Sequence, residues 1–295
     1  PSAVNTQEHQ SVALKVASEG IVLLKNDGIL PLKRTALKTL AVIGANSSRK
    51  HAGAGGSSQV NGKYEVTPLA GITGLAGDNV EIKYAAGYEV VKDWKANPAL
   101  VEEAVKVAAA ADVVVYAGGW IHGYSDAWND NAFDSESVDK PGMNLPFGQD
   151  ELIEAVLKAN PNAIIILNSG AATDMQRWVG KARAIIQAWY PGMEGGTALT
   201  KIIFGDINPS GKLPMTFPKR LTDVPAHNPA IGEYPGKDRV VHYNEGILNG
   251  YRYYDTKNIA PLFPFGHGLS YTKFSYNNMR LSSKKIAIDG TVKVK

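Results

Sequence analysis

The chain has 295 residues, 44% hydrophobic and 20% charged, with a net charge of +3. That is enough to bury a sizeable core in one large domain or two ordinary ones. The near balance of charge argues against a nucleic-acid or acidic-membrane partner, and the absence of cysteine excludes disulfides, thiolate catalysis and thiolate metal sites. No apolar run approaches the roughly 20 residues of a membrane-spanning helix. The start, Pro1-Ser2-Ala3-Val4-Asn5, carries no signal-peptide pattern and reads as a processed or excised piece of a longer protein.

In chain order, His9 to Lys25 reads as a helix, with Val12, Val16, Ile21 and Leu24 at roughly helical spacing and Asn26-Asp27-Gly28 as its stop. From Thr39 the pattern alternates. Apolar runs suited to buried parallel strands are Leu40–Ile43, Val80–Tyr84, Val113–Ala117, Ala163–Leu167 and Ala184–Trp189. Helical patterns lie between and after them at Pro68–Leu75, Ala99–Ala110, Gln149–Ala159, Thr173–Val179 and Gly195–Phe204. This alternation, without tight hairpins, predicts an α/β fold with a mostly parallel sheet flanked by helices.

Two connections are too long for that economy, Ala45–Thr67 and Gly118–Gly148. Loops beyond about 12–15 residues are usually functional or disordered. Both leave the carboxyl ends of predicted parallel strands, the rim where open α/β sheets bind ligands. From Asn208 the alternation stops. Leu221 to Pro264 is rich in Pro, Gly and Tyr and reads as an ordered connector wrapping the sheet domain. After Gly268 the period becomes two, with Phe274–Leu281 as a predicted strand and Thr291–Lys295 as the start of another.

The phosphate motifs fail. Gly53-Ala54-Gly55-Gly56-Ser57-Ser58 lacks both the G-K-[ST] ending and the third Gly of G-x-G-x-x-G. Its glycines could instead let the backbone approach a ligand, with Ser57 supplying a hydroxyl. No G-x-S-x-G occurs, and the six histidines have no local metal-binding spacing.

The acids remain. Asp134, Glu136 and Asp139 fall within the second long loop, flanked by Trp120, Tyr124, Trp128 and Phe133, aromatic side chains suited to stacking on sugar faces. The loop returns through Leu145-Pro146-Phe147-Gly148-Gln149. The residues alone do not choose among the three acids, and an acidic cluster in a loop is most often solvated surface.

Several blocks, in order, resemble the second, α/β-sandwich domain of glycoside hydrolase family 3 β-glucosidases. They are Ser18–Asn26 with Leu30-Pro31-Leu32; Leu40–Gly44; Ala188-Trp189-Tyr190-Pro191-Gly192 with Glu194-Gly195-Gly196; Phe204-Gly205-Asp206; Asn208–Pro214; Tyr243–Gly246 with Gly250–Asp255; and Pro264–Tyr271. Glu136-Ser137-Val138-Asp139-Lys140 stands where the family has E-G-x-D-R ahead of L-P-x-x-Q, with Ser for Gly and Lys for Arg.

The resemblance implies that Glu136 is the acid/base. Ser57 and Asp139 would contact substrate, beside Trp120 and Tyr124, and Asp134 and Asp139 would tune or hold the site. It implies no cofactor and no metal. It also implies a nucleophilic Asp on a preceding (β/α)8 barrel domain, since no S-D-W block occurs here.

The expected organisation is residues 1–20 as a connector helix, 21–270 as the α/β sandwich with its wrapping segment, and 271–295 as the start of a fibronectin type III-like domain. The expected activity is retaining hydrolysis of terminal β-D-glucose from cello-oligosaccharides or aryl β-glucosides, in the periplasm or outside the cell, with no nucleic-acid or membrane partner. Rival readings are a non-catalytic sugar-binding or docking module, or a parent β-xylosidase or exo-β-glucanase.

Overall fold

The computed structural model describes residues 4–51, 60–90, 95–121, 134, 140–232 and 234–295. Helix α1, Gln7–Gly20, opens on a Thr6 hydroxyl that accepts from the His9 N–H. It ends at Gly20, where the expected helix would have continued to Lys25. Instead Val22–Asn26 forms strand β1. The reason is burial on both sides: Val22 and Leu24 enter one core while Ile21 and Leu23 enter the other. A helix cannot place four consecutive side chains so; a strand covered on both faces does.

Strands β2 (Thr39–Ile43), β3 (Glu81–Ala85), β4 (Val113–Gly119), β5 (Ala163–Asn168) and β6 (Ala184–Gln187) are parallel to one another. With β1 antiparallel to β6, the sheet order is β1-β6-β5-β4-β2-β3. Helices α2 (Pro68–Leu75), α3 (Pro98–Ala109), α4 (Gln149–Ala159) and α5 (Gly195–Ile203) cover the two faces.

Alternation assigns the residues. Ala41, Ile43, Val114, Tyr116, Ile165 and Leu167 pack against α3 and α4. Leu40, Val42, Val113, Val115, Ile164 and Ile166 pack toward α1, α2 and α5. Helices α2 and α5 touch through glycine: a Cβ on Gly71 would stand 2.3 Å from the Gly196 carbonyl oxygen.

Thr173–Val179, expected as helix, is a chain of turns. Asp174 accepts from the Gln176 N–H at 2.9 Å, a local bond that competes with helix. Trp178, fully buried, donates its indole N–H to Asp150 at the start of α4 at 2.8 Å.

Beyond α5 the chain returns to the edge of β1. The Leu269 N–H donates to the Leu23 carbonyl at 2.8 Å, and Leu213 pairs with His267. This segment holds helix α6, Tyr251–Lys257, and it covers the edge that β1 would otherwise offer. The period-two tail is largely exposed and meets in an antiparallel bridge at Leu281–Val294, short of the full strand expected over Phe274–Leu281. Side chains there have no second sheet to face among the described residues, and a lone hairpin is marginal in water.

Candidate active-site rim

Counting the parallel strands in chain order, the sheet runs 2-1-3-4-5, so the direction of winding reverses between β2 and β4. The crevice outside the carboxyl ends at such a reversal is the ligand site of open α/β sheets. Both long loops leave from there, one from β2 and one from β4.

Their roots are built on glycine. Gly44 has φ +112°, and a Cβ there would lie 2.0 Å from the Ala117 carbonyl oxygen. Gly119 has φ +123°, and a Cβ would lie 2.0 Å from that of Asn168. Neither position admits an L side chain without moving backbone.

Next to Gly44, the Asn46 backbone N–H donates to the Tyr88 hydroxyl, which donates to the Asn46 side-chain oxygen at 2.8 Å. The Asn46 amide reaches the Trp120 carbonyl at 3.2 Å, so the two roots are joined. At the return of the second loop, the fully buried Gln149 accepts from the Gly119 N–H at 2.8 Å and the Tyr116 hydroxyl at 2.9 Å. It donates to the Gly119 carbonyl at 2.8 Å. The last residue of Leu145-Pro146-Phe147-Gly148-Gln149 thus docks on the point where the loop departs. Phe147, at φ +64°, carries its ring into the core against Tyr88.

Of the candidate site residues, Glu136, Ser57, Tyr124 and Asp139 lie outside the described residues, as do Trp128 and Phe133. Trp120 is described, and it is buried at 1% exposure. It shares the core face of β4 with Val114 and Tyr116, and the Lys140 ammonium sits 5.1 Å from its ring. Its ring packs as an inner wall of the domain.

Asp134 gathers more partners than the sequence suggests. One carboxylate oxygen accepts from Lys140 at 3.1 Å; the other accepts from the Gly170 N–H and the Tyr190 hydroxyl, both at 2.7 Å. Its own N–H donates to the Ile121 carbonyl at 2.7 Å. Burial pushes the Asp134 carboxyl up. Lys140, Tyr190 and the Gly170 N–H together outweigh that and hold it below the usual carboxylate range. The Tyr190 phenol is pushed far up by burial and then by the Asp134 charge.

The segment after β6 serves both loops. Tyr190 bonds Asp134 and also stacks on His51, with ring centroids 6.0 Å apart. Val66 exchanges backbone bonds with Met193 and Gly196 at 2.8 and 2.9 Å. The Tyr64 hydroxyl donates to Glu194, which first of all raises the Tyr64 pKa to about 12, with burial adding to it. Among the described residues, no group of three His, Asp or Glu side chains is placed to hold a metal ion, and no helix is long and apolar enough to cross a membrane.

The arrangement defines an α/β domain that presents two root-pinned loops at a switch point. Residues 21–271 match the glycosyl hydrolase family 3 C-terminal domain, and the chain belongs to that family. A β-glucosidase of Bacteroides ovatus is 39% identical over 99% of this chain and 40% of its own length. Thermostable β-glucosidase B of Acetivibrio thermocellus is 39% identical over 97% of this chain and 36% of its own. The crystal structure of DesR, a β-glucosidase from Streptomyces venezuelae in complex with D-glucose, superposes with a TM-score of 0.83 at 29% identity. It covers 97% of this chain and 47% of that one. The chain therefore spans less than half the length of these relatives.

Proposed function

We propose that this chain is the acid/base-bearing part of a retaining β-glucosidase that releases terminal D-glucose from cello-oligosaccharides or aryl β-glucosides. The observation that carries the reading is the likeness, over nearly the whole chain, to two relatives named β-glucosidases at 39% identity. The D-glucose in the Streptomyces venezuelae complex supports glucose as the sugar recognised.

Glu136 is the acid/base by its place ahead of Leu145-Pro146 and Gln149. Protonated, it donates to the leaving oxygen while an Asp of a preceding (β/α)8 barrel domain attacks the anomeric carbon. It then takes a proton from the incoming water. The two carboxyl groups stand about 5–5.5 Å apart in such a pair, so the loop must reach across a domain boundary. Ser57, Tyr124 and Asp139 contact the sugar.

Residues 1–20 connect to the barrel, 21–270 form the sandwich, and 271–295 begin a fibronectin type III-like domain. A groove of about 410 Å³ between α1 and the segment after β6, lined by Ala13, Val16, Trp189 and Met193, supports a docked neighbour there. The reaction uses no cofactor, and the enzyme works in the periplasm or outside the cell.

The test is Glu136→Ala in the complete enzyme. Activity on cellobiose should fall about 10²–10⁴-fold, the usual contribution of general acid–base catalysis, and azide should restore turnover of a dinitrophenyl β-glucoside. Full activity on cellobiose rules the assignment out.

A further inference from the structure

The steps above use Glu136 but leave open what fixes its position. We infer that Asp134 is a positioning residue for the acid/base loop, setting the place of Glu136 by tying the loop's departure and return to the exits of β5 and β6. The inference rests on the reading of Glu136 as acid/base.

Four bonds carry it. Asp134 joins Ile121, where the loop leaves β4, to Lys140, where it comes back, and to Gly170 and Tyr190 beyond β5 and β6. An acid that merely solubilised a loop would face water; this carboxylate is 19% exposed and its lysine 18%.

All three groups that meet the side chain are donors, so a group that only accepts satisfies them. Asparagine has the same shape, but its amide would turn a donor toward at least one of them. Lys140 is itself held on its other side by the face of Trp120, a contact that favours a cation over a neutral side chain. The ion pair therefore fixes the backbone at Asp134 and Lys140, and Glu136 lies between them in the sequence.

Proton transfer to a leaving group is sensitive to placement at the level of about 1 Å, which costs about 10²-fold when lost. A loosened clamp should therefore damage the step that needs the proton and spare the step that does not.

The test uses the complete enzyme with Asp134→Asn, Lys140→Met, Lys140→Arg, Tyr190→Phe and, for reference, Glu136→Ala. Each is assayed on cellobiose and on a dinitrophenyl β-glucoside. Asp134→Asn and Lys140→Met should lower kcat/KM on cellobiose by about 10²-fold. On the activated glucoside, whose leaving group needs no proton, the change should stay within about threefold. Lys140→Arg should recover most of what Lys140→Met loses, because the cation is restored.

Equal losses on both substrates, or a lowered melting temperature with unchanged kcat/KM, overturn the inference and leave Asp134 a structural residue. Should Asp134→Asn fail to fold, Lys140→Met and Tyr190→Phe decide between the same two outcomes. If Glu136→Ala itself discriminates neither leaving group nor azide, the reading of Glu136 falls and this inference falls with it. If Glu136→Ala discriminates and the clamp variants do not, the inference alone falls.

Discussion

The two long loops leave the same crevice by the same device and are held down by different ones. Gly44 and Gly119 each turn the chain at a positive φ where a Cβ would strike a neighbouring carbonyl. Past the root they diverge. The loop after β2 returns to α2 chiefly through backbone pairing of Val66 with Met193 and Gly196, with the Tyr64 hydroxyl on Glu194 beside it. The loop after β4 returns through side chains, the fully buried Gln149 on Gly119 and the partly buried Asp134 on Lys140, Gly170 and Tyr190. Backbone pairing tolerates a change of side chain, while a largely buried polar network does not, because each group left behind loses its partner where water has little access. The second loop, which carries the proposed acid/base, is thus the more exactingly specified of the two.

Replacing either root glycine should erase the difference between the loops. Gly44→Ala and Gly119→Ala each force a Cβ to 2.0 Å from backbone, and each should cost roughly 4 kcal/mol or more in denaturant unfolding. A mild effect at either would mean that the root is not rigid. Next in size, Gln149→Ala should separate the loops. It strands the Gly119 N–H and carbonyl and the Tyr116 hydroxyl, at roughly 3 kcal/mol. Gln149→Glu should recover part of this, since it still accepts from Gly119 and Tyr116 but cannot donate to the Gly119 carbonyl. Smaller again is Tyr190→Phe, which removes one bond to Asp134 and keeps the ring on His51. About 1 kcal/mol is expected, and a larger loss would mean that the Asp134 network fails as a unit when this one bond is removed.

Much of the sheet could be read from the sequence because its central strands are continuous apolar runs, buried on both faces and punctuated by turns. The same logic, applied to Ile21–Leu24, would have found β1; the helical spacing of Val12, Val16, Ile21 and Leu24 hid a run of four apolar residues after a glycine. Trp120 follows the end of β4, beyond the positive φ of Gly119, so strand periodicity does not reach it; its indole joins Val114 and Tyr116 in the core all the same. The clamp was out of reach. Asp134 finds Gly170 and Tyr190 at separations of 36 and 56 residues, and no local pattern encodes a partner chosen by the order of strands in a sheet. The loops themselves were visible by length, but what fastens them is tertiary.

The smallest effects expected are in the pH dependence of stability, where the two loops should fail at opposite ends. The Asp134 carboxyl is held below its ordinary range. Its contribution is therefore fully present above the unfolded carboxylate value of about 3.9 and is lost as pH falls through the lower folded value. Tyr64 has the opposite sign. Its bond to Glu194 raises it to about 12, so its contribution is fully present below the unfolded phenol value of about 10 and is lost as pH rises toward 12. The Tyr64 contribution should be slight, since the phenol is half-buried and solvent screens the pair. Urea unfolding followed across pH should show the acid limb flattened by Asp134→Asn and unmoved by Tyr64→Phe. The alkaline limb should respond to Tyr64→Phe and not to Asp134→Asn. If both variants shift the same limb, the loops are not independently fastened, and the segment from Tyr190 to Gly196 couples them into one unit.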